Sequence, residues 1–158
     1  MTPLTMNWKT SENTALKIRC LINLPPTNRM RILLDTLTLL WIVNGDSRLS
    51  EKSIEAYRSA DEIFWSVVSL WEIGLKLSLG KVNFQMAPDW SRKIPDNLRK
   101  NGGICLPVEP SHCRILSELP WLHRDPFDRL LISQAQAEDL TLVTCNARIR
   151  RYTVKQIW

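Results

Sequence analysis

The chain has only two histidines, His112 and His123, and its four cysteines never fall into a CxxC pair. A histidine-based triad is hard to assemble from so few, and a zinc centre lacks both the ligand count and the spacing. Cys20, Cys105, Cys113 and Cys145 read as reduced thiols in a chain too rich in core residues to need disulfide staples. No apolar run approaches the roughly 20 residues that cross a bilayer. The stretch KIRCLINL ahead of Pro25-Pro26 is too short and interrupted for a secretory signal. A cytoplasmic protein without a membrane partner is the expectation. GxGxxG, GxxxxGK[ST], HExxH and GxSxG are all missing, which removes the dinucleotide, P-loop, zincin and nucleophile-elbow chemistries. Internal repeats and low-complexity tracts are missing too.

What remains is an ordinary globular composition, with 158 residues, 44% hydrophobic and 23% charged. That suits one domain with a real core. The formal net charge of +5 fits a partner that is a polyanion. Residues 1–29 are polar and without period, and end in LPPTNRM. They read as a poorly ordered extension ahead of a domain over 30–158, with Met30 a possible alternative start.

Within that domain, strand-like and helix-like patterns alternate. Strands are expected at Arg31–Leu34, Ile63–Val68, Ile104–Val108 and Leu140–Thr144, with a fifth at the edge over Val154–Trp158. Helices are expected over Thr36–Val43, from Ser50, over Ser69–Leu79, from Pro88, and over Pro110–Leu119 and Pro126–Glu138. Such alternation predicts a parallel α/β sheet. Trp41, Trp65 and Trp71 lie on elements that must pack and are expected in the core.

Acidic residues punctuate this pattern. Asp35 follows RILL, Glu72 comes just past FWSVVS, and Asp125 and Asp128 sit in HRDPFDRLL. Each has a structural explanation of its own. Asp35 and Asp125 suit N-caps, and Ser69 with Glu72 reads as a capping box, with Lys76 a pairing partner one turn on. Capping alone, however, is served equally well by Ser, Thr or Asn. Here carboxylates occupy three junctions of the strand-to-helix kind, and a fourth, TLVTCN, ends in the oxygen ligand Asn146. Ends of parallel strands share one edge, outside which ligands of open α/β sheets bind. Several carboxylates gathered there repel one another unless protons or a cation neutralise them, and an oxygen-rich site suits Mg²⁺ or Mn²⁺. A metal-dependent nuclease is the leading reading. Arg148, Arg150 and Arg151 read equally as a solvated face and as phosphate contacts near the acidic edge. His123, in a loop before a helix, is read as a surface or hydrogen-bonding residue rather than a base.

The segments RILLDTLTLLW, SVVSLWEIGLKLSLGKV, LPWLHRDPFDRLLISQAQAEDLTLVT and RRYTVKQIW resemble, in order, the PIN-domain proteins, specifically the VapC-type toxins of bacterial toxin–antitoxin pairs. HRDPFDRLLISQA is the most specific of them. The resemblance implies a three-layer α/β/α fold around a mostly parallel sheet of four or five strands. It also implies a metal-dependent endoribonuclease using Mg²⁺ or Mn²⁺, an RNA substrate, a cognate antitoxin and a homodimer. It matches Asp35, Glu72 and Asp128 to the family's acids, which bind metal with Asn146 completing the site. Asp125, Thr36, Arg129 and Thr144 take supporting places, and the early helices, with Leu37, Leu40, Trp41, Ile54 and Tyr57, offer apolar surface to the antitoxin. Two positions depart from the pattern: Leu37 stands where the subgroup often has His, and Asn146 where it has a fourth acid. Asn146 is the one sequence feature in favour of the rival reading, a non-catalytic module of the same fold that binds RNA or a partner.

Overall fold

Short apolar segments with alternating sides build a five-stranded sheet with helices against both faces. The computed structural model describes residues 29–81 and 86–158. All of the expected extension except Arg29 lies outside the described residues. The elements run β1 (Arg31–Leu34), α1 (Thr36–Asn44), α2 (Glu51–Ser59), β2 (Glu62–Ser66), α3 (Val67–Ser78), α4 (Trp90–Lys100), β3 (Ile104–Leu106), α5 (Pro110–Glu118), α6 (Pro126–Ala137), β4 (Thr141–Val143), a 3-10 turn (Ile149–Arg151) and β5 (Gln156–Ile157). The strand order is β3-β2-β1-β4-β5, and every pairing is parallel. The fifth strand is present at an edge, as the sequence pattern suggests.

Successive strand residues point to opposite faces, and this divides the core in two. Ile32, Leu34, Trp65 and Val143 pack with Leu39 and Leu40 of α1 and with Ile94 and Leu98 of α4. On the other face, Leu33, Phe64 and Leu142 pack under Leu130, Leu131 and Ala135 of α6. α3 feeds both cores, through Val68 and Ile73. The result is the expected three-layer α/β/α arrangement.

Two expectations are corrected here. The third helix begins at Val67 rather than Ser69, because the Ser66 hydroxyl accepts from the Val68 N–H at 3.0 Å and ends β2 as an N-cap. Ser69 is therefore inside the helix, and no capping box forms between it and Glu72. Trp71 is not a core residue: it is 57% exposed, with its ring edge-on to Phe127. The apolar stripe that carries it, Val67, Trp71 and Leu75 of α3 with Leu79 at its C-cap, faces outward at helical spacing.

Gly103 closes α4 onto β3. Its N–H donates to the Leu98 carbonyl at 2.8 Å, and an added Cβ would stand 2.9 Å from that oxygen and 3.2 Å from the Trp65 ring. Gly103→Ala is expected to destabilise the fold by about 1–3 kcal/mol through overpacking. Thermal unfolding checks this, with Leu79→Ala, on exposed surface, expected within about 0.5 kcal/mol of the parent.

Candidate active site

The carboxylates reach one region from three elements. Asp35 directly follows β1, and its N–H donates to the Val143 carbonyl at 3.2 Å, so it stands at the joint between β1 and β4. Its extended backbone and side chain cap α1, with Oδ1 accepting from the Thr38 N–H at 2.7 Å. Asp35 is buried, and that burial pushes its carboxyl pKa up, against the pull of the Thr144 side chain and the Thr38 N–H; the Glu72 charge adds to the rise. The buried Thr38 hydroxyl beside it pulls the same way as the Thr38 N–H.

Glu72 lies in the second turn of α3 and is also buried. The Thr36 hydroxyl donates to its Oε2 at 2.5 Å and stands 3.0 Å from the Ser69 hydroxyl. Its Oε1 pairs with Lys76 one turn on. Burial alone lowers Lys76, but that hydrogen bond and the charges of Glu72, Asp125 and Asp128 outweigh it and raise the pKa. The ammonium thus sits in the field of three acids.

Asp125 and Asp128 arrive differently from the other acids. The helix that carries them follows a loop after α5, not a strand, which corrects the reading of this junction. Asp125 is the N-cap of α6, accepting from the N–H groups of Phe127 and Asp128 at 3.0 and 3.4 Å, with Pro126 at the first helical position. Asp128, one turn in, has Oδ2 against His123 Nε2 at 3.1 Å and accepts from Asn146 Nδ2 at 2.6 Å. Burial first, and the Asp125 charge second, push its carboxyl up to about 6. His123 opposes that rise and Glu72 reinforces it.

Asn146 follows β4 as expected, and its side chain is oriented by its own loop. Its Oδ1 accepts from the Arg148 N–H at 3.0 Å, while its amino group faces Asp128. Thr144 turns the same loop by accepting from the Asn146 N–H at 3.0 Å. Arg148 and Arg150 are exposed beyond it, and Arg151, also exposed, donates to the Leu122 carbonyl at 3.0 Å. Arg129 points away from the acids. Its guanidinium donates to the carbonyls of Pro120 and Leu119 at 2.8 and 3.2 Å and to the Tyr152 hydroxyl at 3.2 Å. Its support for the site is a matter of scaffold.

Cys145 lies beside this region, its thiol pushed up by burial and then by the Asp35 charge. His123 is a hydrogen-bonding residue as its sequence context suggests, but buried rather than at the surface, and Tyr152 joins it. His123 was visible beside Asp125, whereas nothing local marks Tyr152, whose contact with it spans 29 residues.

A family model for the PIN domain matches residues 32–155. The chain belongs to the PIN domain family. Solved PIN-fold relatives include a chain of VapBC2 from Rickettsia felis bound to a DNA fragment from its promoter, at 19% identity and a TM-score of 0.58, covering 81% of this chain and 98% of that one. A chain of FitAcB from Neisseria gonorrhoeae matches at 15% identity and 0.55, covering 80% and 96%. A chain of DNA-bound VapBC from Salmonella typhimurium matches at 14% and 0.55, covering 81% and 97%. At such identities the likeness speaks for the PIN fold. No curated protein matches the sequence.

The raised carboxyls have a consequence for stability. An aspartate with a normal value near 3.8 when unfolded and about 6 when folded binds more protons in the native state between those values. Its contribution to stability is therefore lost as the pH rises through that window, and Asp35, raised in the same direction, acts likewise. Asp128→Asn is expected to gain on the parent protein by a few degrees in Tm between pH 4 and pH 7 without metal. Parallel Tm curves for the two proteins would contradict the assignment.

Proposed function

We propose that this PIN domain is a metal-dependent endoribonuclease of the VapC kind, the toxin of a toxin–antitoxin pair. The observation that carries the reading is the gathering of Asp35, Glu72 and Asp128 from three elements into one buried region. Two of the three have carboxyls raised by burial and by neighbouring acids. A site so short of positive charge favours a cation, and its hard oxygen donors fit Mg²⁺ or Mn²⁺. Among the described residues, no three His, Cys, Asp or Glu side chains converge closely enough to clasp one ion as they stand. Glu72 is engaged by Lys76, an exposed side chain whose long stem lets it leave. The donor chemistry fits, with Asp35, Glu72 and Asp128 as the residues that would hold the ion. Asn146 would contribute only after turning its amide.

When bound, such an ion polarises a phosphodiester and lowers the pKa of water, so that no histidine base is required. The chain's own residues do the rest. Thr36 and Ser69 fix Glu72, the α1 N-terminus fixes Asp35, and Asn146 holds Asp128. Arg148, Arg150 and Arg151 are suited to grip the RNA backbone.

The antitoxin reading draws on the complexes in which the PIN-fold relatives were solved. Of the apolar surface expected on the early helices, Leu40 and Trp41 belong to the core, while Leu37 is exposed. The outward stripe of α3 is the larger apolar face, suited to an antitoxin or a second copy of the chain. The rival reading, a non-catalytic module, is favoured by Asn146, whose oxygen is held by its own loop.

Purified protein is expected to cleave RNA with Mg²⁺ or Mn²⁺, to stop in EDTA, and to fall to background in Asp35→Asn and Asp128→Asn. Expression alone should arrest growth, and co-expression with the product of a small upstream reading frame should restore it. Cleavage undiminished in the double variant would sink the active-site assignment, and folded, metal-binding protein without cleavage would favour the non-catalytic module.

A further inference from the structure

Asp128 is the end of a hydrogen-bond chain whose direction can be deduced. Arg129 has donors only, and its Nη1 gives to the Tyr152 hydroxyl at 3.2 Å. With its oxygen accepting there, Tyr152 turns its single proton to His123 Nδ1, 2.9 Å away. An imidazole whose Nδ1 accepts carries its proton on Nε2. That nitrogen lies 3.1 Å from Asp128 Oδ2, so it donates to the carboxylate. Asn146 Nδ2 donates to the same oxygen at 2.6 Å. Two N–H groups thus hold Oδ2, and Oδ1 is left to the site.

From Arg129 to His123 the chain is buried, since Arg129 and Tyr152 are 4% exposed and His123 is 8% exposed, while Asp128 and Asn146 at its end are half-buried. Water is kept from the Arg129–Tyr152 and Tyr152–His123 bonds, and reversing one of them would leave a buried donor or acceptor unmet. The path begins and ends on adjacent residues of α6, Asp128 and Arg129, and passes through the α5–α6 loop and the segment after the 3-10 turn.

We propose that His123 is a positioning residue for the third carboxylate, fixed by Tyr152 and Arg129 as its Nε2–H tautomer so that Asp128 is pinned by one oxygen and offers the other to a divalent cation. The cation is the one invoked in the nuclease reading, on which this part of the proposal rests. The tautomer stands on the hydrogen bonds alone.

Long-range ¹H–¹⁵N spectra of the full-length, metal-free protein test the tautomer. The His123 ring is expected to carry its proton on Nε2 with Nδ1 unprotonated, and to lose that preference in Tyr152→Phe. A ring protonated on Nδ1 alone, or on both nitrogens, would overturn the proposal. Calorimetry with Mn²⁺ tests the positioning. His123→Ala should weaken binding about 10–100-fold, the usual effect of removing a group that orients a metal ligand. His123→Gln, whose amide places an N–H near the lost Nε2–H, should recover part of it. Parent-like Mn²⁺ affinity in a folded His123→Ala protein would overturn the proposal even if RNA is cleaved. The expected tautomer and affinity series in a protein that cleaves no RNA would uphold it while the nuclease reading fails.

Discussion

β1 is paired on both sides, with β2 through Arg31↔Glu62 to Leu34↔Trp65 and with β4 through Ile32↔Thr141 to Leu34↔Val143, and both pairings are parallel. Almost everything else depends on that central register. Parallel neighbours end at the same edge, so the residue after Leu34, the turn into α3 and the loop after β4 are brought together. A slip of one residue would turn Ile32 and Leu34 to the wrong face and carry Asp35 away from Val143 and Thr144. Two to five residues per strand suffice because the central strand β1, on which the others pair, is buried on both faces. The sheet's hydrophobic demand and the placement of the acids are the same constraint.

At that edge the acids serve two ends at once. Asp35 and Asp125 cap helices, and their neighbours accept the burial that follows. Asp35 and Asp128 are held where ionisation is disfavoured, and the acids share a lysine on Glu72, two threonines, a histidine and an asparagine as partners. Each of these partners touches a carboxylate oxygen, or the loop that carries one. The arrangement tolerates the charge without extinguishing it.

Much of this was legible in the sequence because it is local. The alternation of strand and helix, Asp35 as the cap of α1 and Asp125-Pro126 at the start of α6 all follow from short-range rules, and three of the four proposed metal ligands, Asp35, Glu72 and Asn146, fall on one edge as a result. The failures are tertiary. Ser66 and Ser69 are equally good caps on paper, and Ser66 holds that place in the fold, where its hydroxyl also meets Gln134 across the sheet. Trp71 looks like a core residue by type, yet the helix rotates it outward because Val68, Ser69, Glu72 and Ile73 form its buried face. Asn146 was read as an oxygen donor. A side-chain amide has two ends, and only its loop decides which one faces Asp128.

The pairing of β1 with β4 joins residues more than a hundred positions apart, Ile32 to Thr141. During synthesis from the N-terminus, Asp35 and Glu72 emerge long before Asp128 and β4, and contacts of such separation form late. A partly translated chain therefore holds two acids and no completed edge. The acid cluster comes into being only as the domain nears completion, so a truncated or stalled product carries the residues of the site without the site itself.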